Sequence, residues 1–231
     1  NSVGVDNFIR QGQKMGIRTW NDPSRFGLAL TLGGGEVKLV DMATAYGVLA
    51  NQGHKVNLTP LMKIEDVSGN VIHESNISRN KVLNEGIAYI LSDILSDNFS
   101  RQLAFGSRSL LEIPGYRVAV KTGTTDEKKD NLAIGYNPEF LVAVWVGNND
   151  NAPMNPYLTS GVTGAAPIWN RMMTYLLNNY GNGNIWYSKP ENVAERTCYF
   201  GRVEYFLKGT ENNVSCKDSL LKVSPTKKEE D

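Results

Sequence analysis

The chain has few of the residues that most often build metal centres and disulfide frameworks. It contains two cysteines and two histidines among 231 residues. Two cysteines are too few to close a four-ligand zinc site, so we expect no metal. Cys198 and Cys216 are either free thiols or a disulfide, and a disulfide would fit an oxidising compartment. We expect His54 and His73 in solvated loops near turns.

An excess of charge and a long apolar run are also missing. The 24 basic and 24 acidic residues balance, so nothing favours a nucleic-acid partner. The longest apolar run, FLVAVWV, is far shorter than the roughly 20 residues that cross a bilayer, and it predicts a buried strand. No signal peptide is visible, and the first residue is not methionine. Because residues 1–17 are typical of the middle of a domain, we expect a piece of a longer protein.

Apolar residues at intervals of three and four predict helices. One covers residues 36–50 and carries Leu39, Met42, Ala43, Tyr46 and Ala50. A second has Asn84 as its N-cap, and its apolar repeat is Leu83, Ile87, Ile90, Leu91, Ile94 and Leu95. A third spans residues 164–180, with Pro167 in its first turn and Gly181 beyond its end. The Gly33-Gly34-Gly35 run before the first helix lacks the spacing of a phosphate loop, so it predicts a turn.

Strand patterns predict an antiparallel sheet. Residues 61–75 predict a hairpin with its turn at Ser68-Gly69-Asn70. Residues 117–123 predict a strand, and a second hairpin follows around Asn137-Pro138-Glu139. Since the strands of that second hairpin are apolar on both faces, we expect a sheet covered by helices on both sides. The predicted fold class is α/β (α+β), with residues 1–182 as one domain and residues 183–231 as a polar extension whose last residues are disordered.

The segment from Lys121 to Thr125, KTGTT, stands at the end of the strand over residues 117–123. K-T-G is a signature of penicillin-recognising serine acyltransferases, in which such a strand holds the substrate near the reacting carbonyl. Strand alternation places Lys121 and Gly123 on one face, and Thr122 and Thr124 on the face of the valines. All of these can reach one ligand only if the strand twists or lies at a sheet edge.

A second signature shares the letters K-T-G-T, namely the phosphorylation motif D-K-T-G-T of cation-pumping ATPases. Its nucleophile is the aspartate before the lysine. Here that position is Val120, which cannot form an acyl phosphate, and the chain lacks membrane spans. The pump is therefore excluded.

The acyltransferase hypothesis needs a nucleophilic serine in S-x-x-K and a polar S-x-N loop. Serines with a lysine three residues on occur at Ser78, Ser219 and Ser224, but the first stands in a polar stretch and the others in the tail. Ser68-Gly69-Asn70 and Ser96-Asp97-Asn98 match S-x-N, yet a turn and a helix cap explain them better. We therefore expect the nucleophile to lie outside this chain.

The surrounding sequence extends the match. RVAVKTGTT, DNLAIGYNPEFLVAVWVGNND and SGVTGAAPIWNRMM follow one another and resemble the C-terminal half of the transpeptidase domain of class A penicillin-binding proteins. Upstream, LALTLGGGEVKLVDMATAYGVLANQG is similar to the segment after the S-x-N motif, and LSDNFSRQLAFG resembles the loop region before the K-T-G strand. One departure is Leu132-Ala133, where the family often has a large aromatic residue.

The resemblance implies a penicillin-binding transpeptidase or serine β-lactamase-like fold, and cross-linking of peptidoglycan by a serine acyl-enzyme. It implies that Lys121 and Thr124 are catalytic and that Thr122, Gly123 and Thr124 bind the substrate. The expected partners are peptidoglycan stem peptides and acylating β-lactams, with no metal or organic cofactor. The full protein would be extracytoplasmic, in the periplasm or at the cell surface, and anchored in the membrane by an upstream segment. A non-catalytic sensor module, or an inactive piece of the same fold, stays open as the alternative.

Overall fold

The structure, a computed structural model, describes residues 3–155, 163–198, 201–213 and 216. They fall into two units, Asn1–Ser188 and Lys189–Asp231. In the first unit the helices are α1 (Val5–Met15), α2 (Leu39–Ala50), α3 (Glu85–Ser96), α4 (Asn98–Phe105) and α5 (Ala165–Tyr180). Its strands are β1 (His54–Val56), β2 (Lys63–Glu65), β3 (Val71–Glu74), β4 (Arg79–Lys81), β5 (Ala119–Thr124), β6 (Asp130–Tyr136) and β7 (Leu141–Gly147).

An antiparallel three-stranded sheet in the order β5-β6-β7 is the centre of the first unit. The turn between β6 and β7 forms at Asn137, whose side-chain oxygen accepts hydrogen bonds from the backbone N–H groups of Glu139 and Phe140 at 3.1 and 2.8 Å. This is the hairpin that the sequence predicted around Asn137-Pro138-Glu139. The α/β fold class with a mainly antiparallel sheet is therefore confirmed.

Helix α5 covers one face of the sheet. Val118, Val120 and the alternating residues of β6 and β7 pack there against Trp169 and Met173, both fully buried. Gly135 has no side chain because a Cβ at that position would lie 2.4 Å from the Trp169 ring. A bulky aromatic on the helix thus fits into a gap that glycine leaves in the strand.

Helices α2 and α3 cover the opposite face, where Leu49, Ala88, Ala119 and Tyr136 form a second cluster. Ser92 donates a hydrogen bond to the Ala88 carbonyl at 2.7 Å, so its oxygen is left to accept from the Tyr136 hydroxyl at 2.9 Å. Burial raises the pKa of Tyr136 and keeps the hydroxyl protonated as the donor. The prediction of helices on both sides of the sheet is confirmed.

The predicted helices form, but their apolar spacing does not mark the most buried face. In α3 the buried residues are Gly86, Ala88, Tyr89 and Ser92, whereas Leu91 and Ile94 are 39% and 60% exposed. Small residues let α3 approach the sheet closely. In α2, Ala45 packs toward α1 and Leu49 toward the sheet, so one helix serves two clusters.

Several local predictions are confirmed in detail. Asn84 caps α3 by accepting from the N–H of Gly86 at 2.8 Å. The β2–β3 hairpin has Gly69 at φ 84° in its turn. Helix α2 ends at Ala50, the last residue of the predicted helix. Gly33 has a positive φ, at the end of a 3-10 turn (Leu28–Leu32), as expected of a structural turn.

Other elements were not predicted. Helix α4 replaces an expected polar loop, and β1 pairs with β4 in a short ladder. His54 and His73 lie in strands β1 and β3, so their prediction as loop residues was wrong, although His73 is exposed to solvent as expected. No helix in the described parts of the chain is long and apolar enough to span a membrane.

The second unit contains an antiparallel pair of strands, β8 (Val193–Thr197) and β9 (Val203–Leu207). A disulfide joins Cys198 and Cys216, which resolves the two possibilities that the sequence left open. The domain boundary after residue 182 stays a prediction. The end of the chain that was predicted to be disordered, SPTKKEED, lies outside the described residues.

Two adjacent methionines of α5 test the packing against the sheet. Met173 is fully buried and Met172 is 50% exposed. We expect Met173→Ala to lower the free energy of unfolding by about 2–5 kcal/mol, since it leaves a cavity in the core. Met172→Ala should change it by about 0.5 kcal/mol or less. Urea denaturation followed by circular dichroism measures both, and equal losses would contradict this packing.

Candidate functional site

Strand β5, which carries Lys121 to Thr124, lies at an edge of the sheet. It pairs with β6 from Ala119 opposite Tyr136 to Thr124 opposite Asn131. In the described residues no strand pairs with the other side of β5. At its exposed end, from Lys121 to Thr124, that side can therefore pair with an extended ligand. This meets the condition under which the residues of both strand faces can reach one ligand.

The side chains of the motif divide between the two faces of β5 as the alternation predicted. Val118 and Val120 belong to the cluster beneath α5, and Ala119 belongs to the cluster beneath α2 and α3. Thr122 and Thr124 continue the valine face, and Lys121 and Gly123 continue the other. Lys121 and Thr124 are exposed, and the Lys121 ammonium donates to the Thr122 carbonyl at 2.6 Å.

Asn131 is a site neighbour that the sequence did not reveal. It lies opposite Thr124 on β6 and is completely buried. Its Nδ2 donates to Thr124 Oγ1 at 3.2 Å, and its Oδ1 accepts from the backbone N–H of Ala165, the first residue of α5, at 2.7 Å. The signal available in the sequence was an asparagine within an otherwise apolar strand, one residue after Asp130.

A second group of polar side chains closes the loop between β5 and β6. The Thr125 hydroxyl donates to Asp130 Oδ2 at 3.0 Å and accepts from the Asp130 N–H at 2.8 Å. Trp145 Nε1 donates to the other carboxylate oxygen of Asp130 at 2.8 Å. These bonds hold the base of the loop at the end of the motif strand.

The tip of that loop is exposed and charged. Glu127 and Lys128 both have positive φ, 59° and 55°. Lys129 Nζ lies 2.7 Å from Glu127 Oε2, and this hydrogen bond and charge hold the pKa of Glu127 below its ordinary value. The loop thus stands beside the open strand with both signs of charge on it.

A cleft of about 250 Å³ borders β5 on the side of α3 and α4. Lys121 and Thr122 line it together with Ile94, Phe105 and Arg101. The half-buried guanidinium of Arg101 donates to carbonyls at the end of α3 and the start of α4, including that of Asp97 at 3.3 Å. Burial lowers the pKa of Arg101, but an arginine stays charged. The cleft therefore offers an apolar wall and a fixed cation next to the motif.

A larger concavity of about 650 Å³ lies along the exposed side of α5. All of its lining residues belong to that helix, and it contains none of the predicted site residues. The cleft beside β5 is therefore the better candidate for a functional site.

The structure does not supply a nucleophile from the candidates in the first unit. Ser78 is exposed in an extended segment before β4, and Lys81 is exposed within β4. A nucleophilic serine of this type needs a position at the start of a buried helix, with its lysine desolvated, and Ser78 has neither. Ser219 and Ser224 lie outside the described residues.

The two S-x-N matches have the structural roles that we expected. Gly69 of Ser68-Gly69-Asn70 forms a turn around the Asp66 carboxylate, which accepts from the N–H of Ser68 and of Asn70, each at 2.8 Å. Asp97 caps α4 by accepting from the Ser100 N–H at 3.0 Å. Ser96 and Asp97 lie near the motif strand, because Ser96 Oγ accepts from Arg117 Nε at 3.0 Å and Asp97 lines the cleft with Lys121. Both residues stand at the junction of α3 and α4, where Asp97 is the cap.

Residues 3–174 match the family described as penicillin binding protein transpeptidase domain. Penicillin-binding protein 1A of Clostridium perfringens (strain 13 / Type A) is 31% identical over 206 residues, which are 84% of this chain and 28% of that protein. Penicillin-binding protein 1A of Aquifex aeolicus is 30% identical over 227 residues, 94% of this chain and 30% of that protein. The chain thus spans less than a third of these relatives' length.

Solved structures show the same fold. Penicillin-binding protein 1A from Haemophilus influenzae superposes with a TM-score of 0.77 at 21% identity, over 91% of this chain and 37% of that one. PonA1 from Mycobacterium tuberculosis, solved in complex with penicillin V, gives a TM-score of 0.61 at 22% identity, over 82% of this chain and 53% of that one.

The family match covers most of the first unit, including α2, α3, the whole β5-β6-β7 sheet and most of α5. The chain belongs to the penicillin-binding protein transpeptidase domain family.

Proposed function

We propose that the protein containing this chain is a D-Ala-D-Ala transpeptidase that cross-links peptidoglycan. The observation that carries the proposal is the Lys121–Thr124 segment on the open edge of β5 in a chain of this family. An extended stem peptide can pair with that edge as an additional antiparallel strand. The reaction needs no metal and no organic cofactor.

The reaction proceeds in two acyl transfers. A serine oxygen attacks the carbonyl of the penultimate D-Ala, the peptide bond breaks, and the terminal D-Ala leaves with the proton on its amine. The amine of a second stem peptide then attacks the acyl-enzyme ester and returns the proton to the serine. The serine comes from an S-x-x-K motif outside this chain, and a β-lactam acylates it in the same way.

The residues of β5 hold the substrate during these steps. The Lys121 ammonium attracts the terminal carboxylate and orients the serine of an S-x-N loop, also outside this chain. The hydroxyls of Thr122 and Thr124 donate hydrogen bonds to that carboxylate, and Gly123 lets the peptide lie close to the strand. The Thr124 N–H is one of two donors to the oxyanion, a type of contact whose loss typically lowers the rate by about a hundredfold or more.

The setting of the protein follows from the same proposal. Residues 1–182 form the C-terminal portion of the transpeptidase domain, and residues 183–231 form an extension; the family match that ends at residue 174 supports this division. The protein acts outside the cytoplasm and is anchored by a membrane segment that precedes this chain. The Cys198–Cys216 disulfide supports an oxidising location.

Labelling by a fluorescent penicillin tests the proposal. The chain expressed together with its upstream coding sequence should form one covalently labelled band that unlabelled benzylpenicillin abolishes. The chain beginning at Asn1 should stay unlabelled, because it lacks the serine. A band from the isolated chain that disappears in Ser78→Ala would place the nucleophile at Ser78 and contradict our assignment.

Lys121 provides the second test. In the upstream-extended protein, Lys121→Met keeps the apolar stem and removes the charge. We expect acylation by benzylpenicillin to slow by about 10- to 100-fold, as for the loss of a charge-assisted hydrogen bond. The control Lys63→Met removes an exposed lysine of the β2–β3 hairpin and should leave the rate unchanged. Equal rates for wild type and Lys121→Met would remove Lys121 from the mechanism.

A further inference from the structure

Asn131 is a polar side chain in a part of the sheet that is otherwise apolar. It is completely buried on the α5 face of β6, a position at which an unpaired amide would be strongly unfavourable. Both ends of its amide are hydrogen-bonded, one to the motif strand and one to α5. It is thus a direct polar link between Thr124 and the first turn of that helix.

The orientation of this amide is determined by its partners. Ala165 offers a backbone N–H, so the atom of Asn131 that faces it at 2.7 Å must be the carbonyl oxygen. The NH₂ group is then directed at Thr124 Oγ1, 3.2 Å away. A flipped amide would bring two donors together at Ala165 and is excluded.

Gly164 keeps Asn131 in this orientation. A Cβ at position 164 would lie 2.8 Å from Asn131 Oδ1 and 3.0 Å from its Cγ. Both distances are too short, and the Asn131 side chain is buried and cannot move into solvent. Any side chain at position 164 would therefore displace the amide from Thr124.

We propose that Asn131 is a positioning residue that prepares Thr124 to bind the substrate carboxylate. Because the Thr124 oxygen accepts from Asn131, its own proton is left to donate at the exposed edge of β5. The amide thus fixes the rotation of the hydroxyl and directs its proton to a carboxylate, the terminal one of a stem peptide or the one on a penicillin. This rests on the proposed function, which assigns the carboxylate to Thr124.

The competing explanation is that Asn131 only caps α5, since Gly164 has no side chain to do so. Asn131→Asp separates the two roles. A carboxylate still accepts from the Ala165 N–H and favours the helix N-terminus. It cannot donate to Thr124, and instead accepts the hydroxyl proton that the substrate needs. The cap survives the substitution, and the donor to Thr124 is lost.

The experiment measures acylation of the upstream-extended protein by two probes, benzylpenicillin and its methyl ester, in competition with a fluorescent penicillin. We expect Asn131→Asp to slow acylation by the acid by about 10- to 100-fold. The rate with the ester should be unchanged. Gly164→Ala should also lower the ratio of the acylation rate with the acid to the rate with the ester.

Asn137→Asp is the matched control. Asn137 is also buried on the β6 side of its turn, 2% exposed, and its Oδ1 accepts from backbone N–H groups. It stands at the opposite end of β6 from Asn131. The same chemical change at this position should leave the ratio of acid to ester rates unchanged.

Thr124→Val and the double variant Thr124→Val/Asn131→Asp decide whether Asn131 acts through Thr124. If it does, the double variant is no slower with the acid than Thr124→Val alone. Additive losses would mean that the new charge repels the ligand directly, and would overturn the inference. The inference would also be overturned if Thr124→Val slowed acylation by benzylpenicillin and Asn131→Asp did not.

The same series separates this inference from the proposed function. If wild type forms no acyl-enzyme with either probe, the proposed transpeptidase fails. If wild type reacts but Thr124→Val keeps its full rate with the acid, the assignment of the carboxylate to Thr124 fails, and the role of Asn131 falls with it.

Discussion

The backbone ladder between β5 and β6 is the constraint on which the site depends. Its register places Thr124 opposite Asn131 and Lys121 opposite Ile134. A slip of one residue would exchange the two faces, so the lysine would enter the α5 core and the threonines would face α2 and α3. The face on which each motif side chain lies is therefore determined by the register of the ladder more than by the motif residues themselves.

Packing on both faces fixes that register. Beneath α5, the Trp169 ring occupies the gap at Gly135. A shift in register would bring another residue of β6 to this position, and its Cβ would collide with the ring. On the opposite face, the Tyr136 hydroxyl bonds Ser92 of α3. The first contact depends on shape and the second on a single hydrogen bond, so each tolerates only one alignment. Apolar burial supplies most of the stabilisation, whereas these two contacts supply specificity.

The sequence predicted what depends on local pattern. The hairpin around Asn137, the cap at Asn84 and the alternation within β5 all follow from residues close together in the chain, and all are present. What it missed depends on distant partners. The apolar spacing of α3 could not show that Ala88 and Ser92 face the sheet, because their burial depends on Ala119 and Tyr136. Asn131 was overlooked for the same reason, since its partner Ala165 lies 34 residues away.

An open strand edge is normally a liability, because it can pair with another chain. The exposed part of β5 is short and carries Lys121, Thr122 and Thr124, which are poor at forming a flat apolar interface. The loop that follows adds charges of both signs at Glu127 and Lys129.

The buried half of the strand, with Ala119 and Val120, lies under helices on both faces. The proposed function gives the two halves opposite requirements: one must be fixed by packing, and the other must stay unpaired for a substrate strand to bind. Asn131 lies at the exposed end of the ladder, where apolar packing stops, and its hydrogen bonds extend the order of the core to Thr124 without closing the edge. A valine at this position would leave both the Thr124 hydroxyl and the Ala165 N–H without these bonds, so an apolar residue cannot replace the amide.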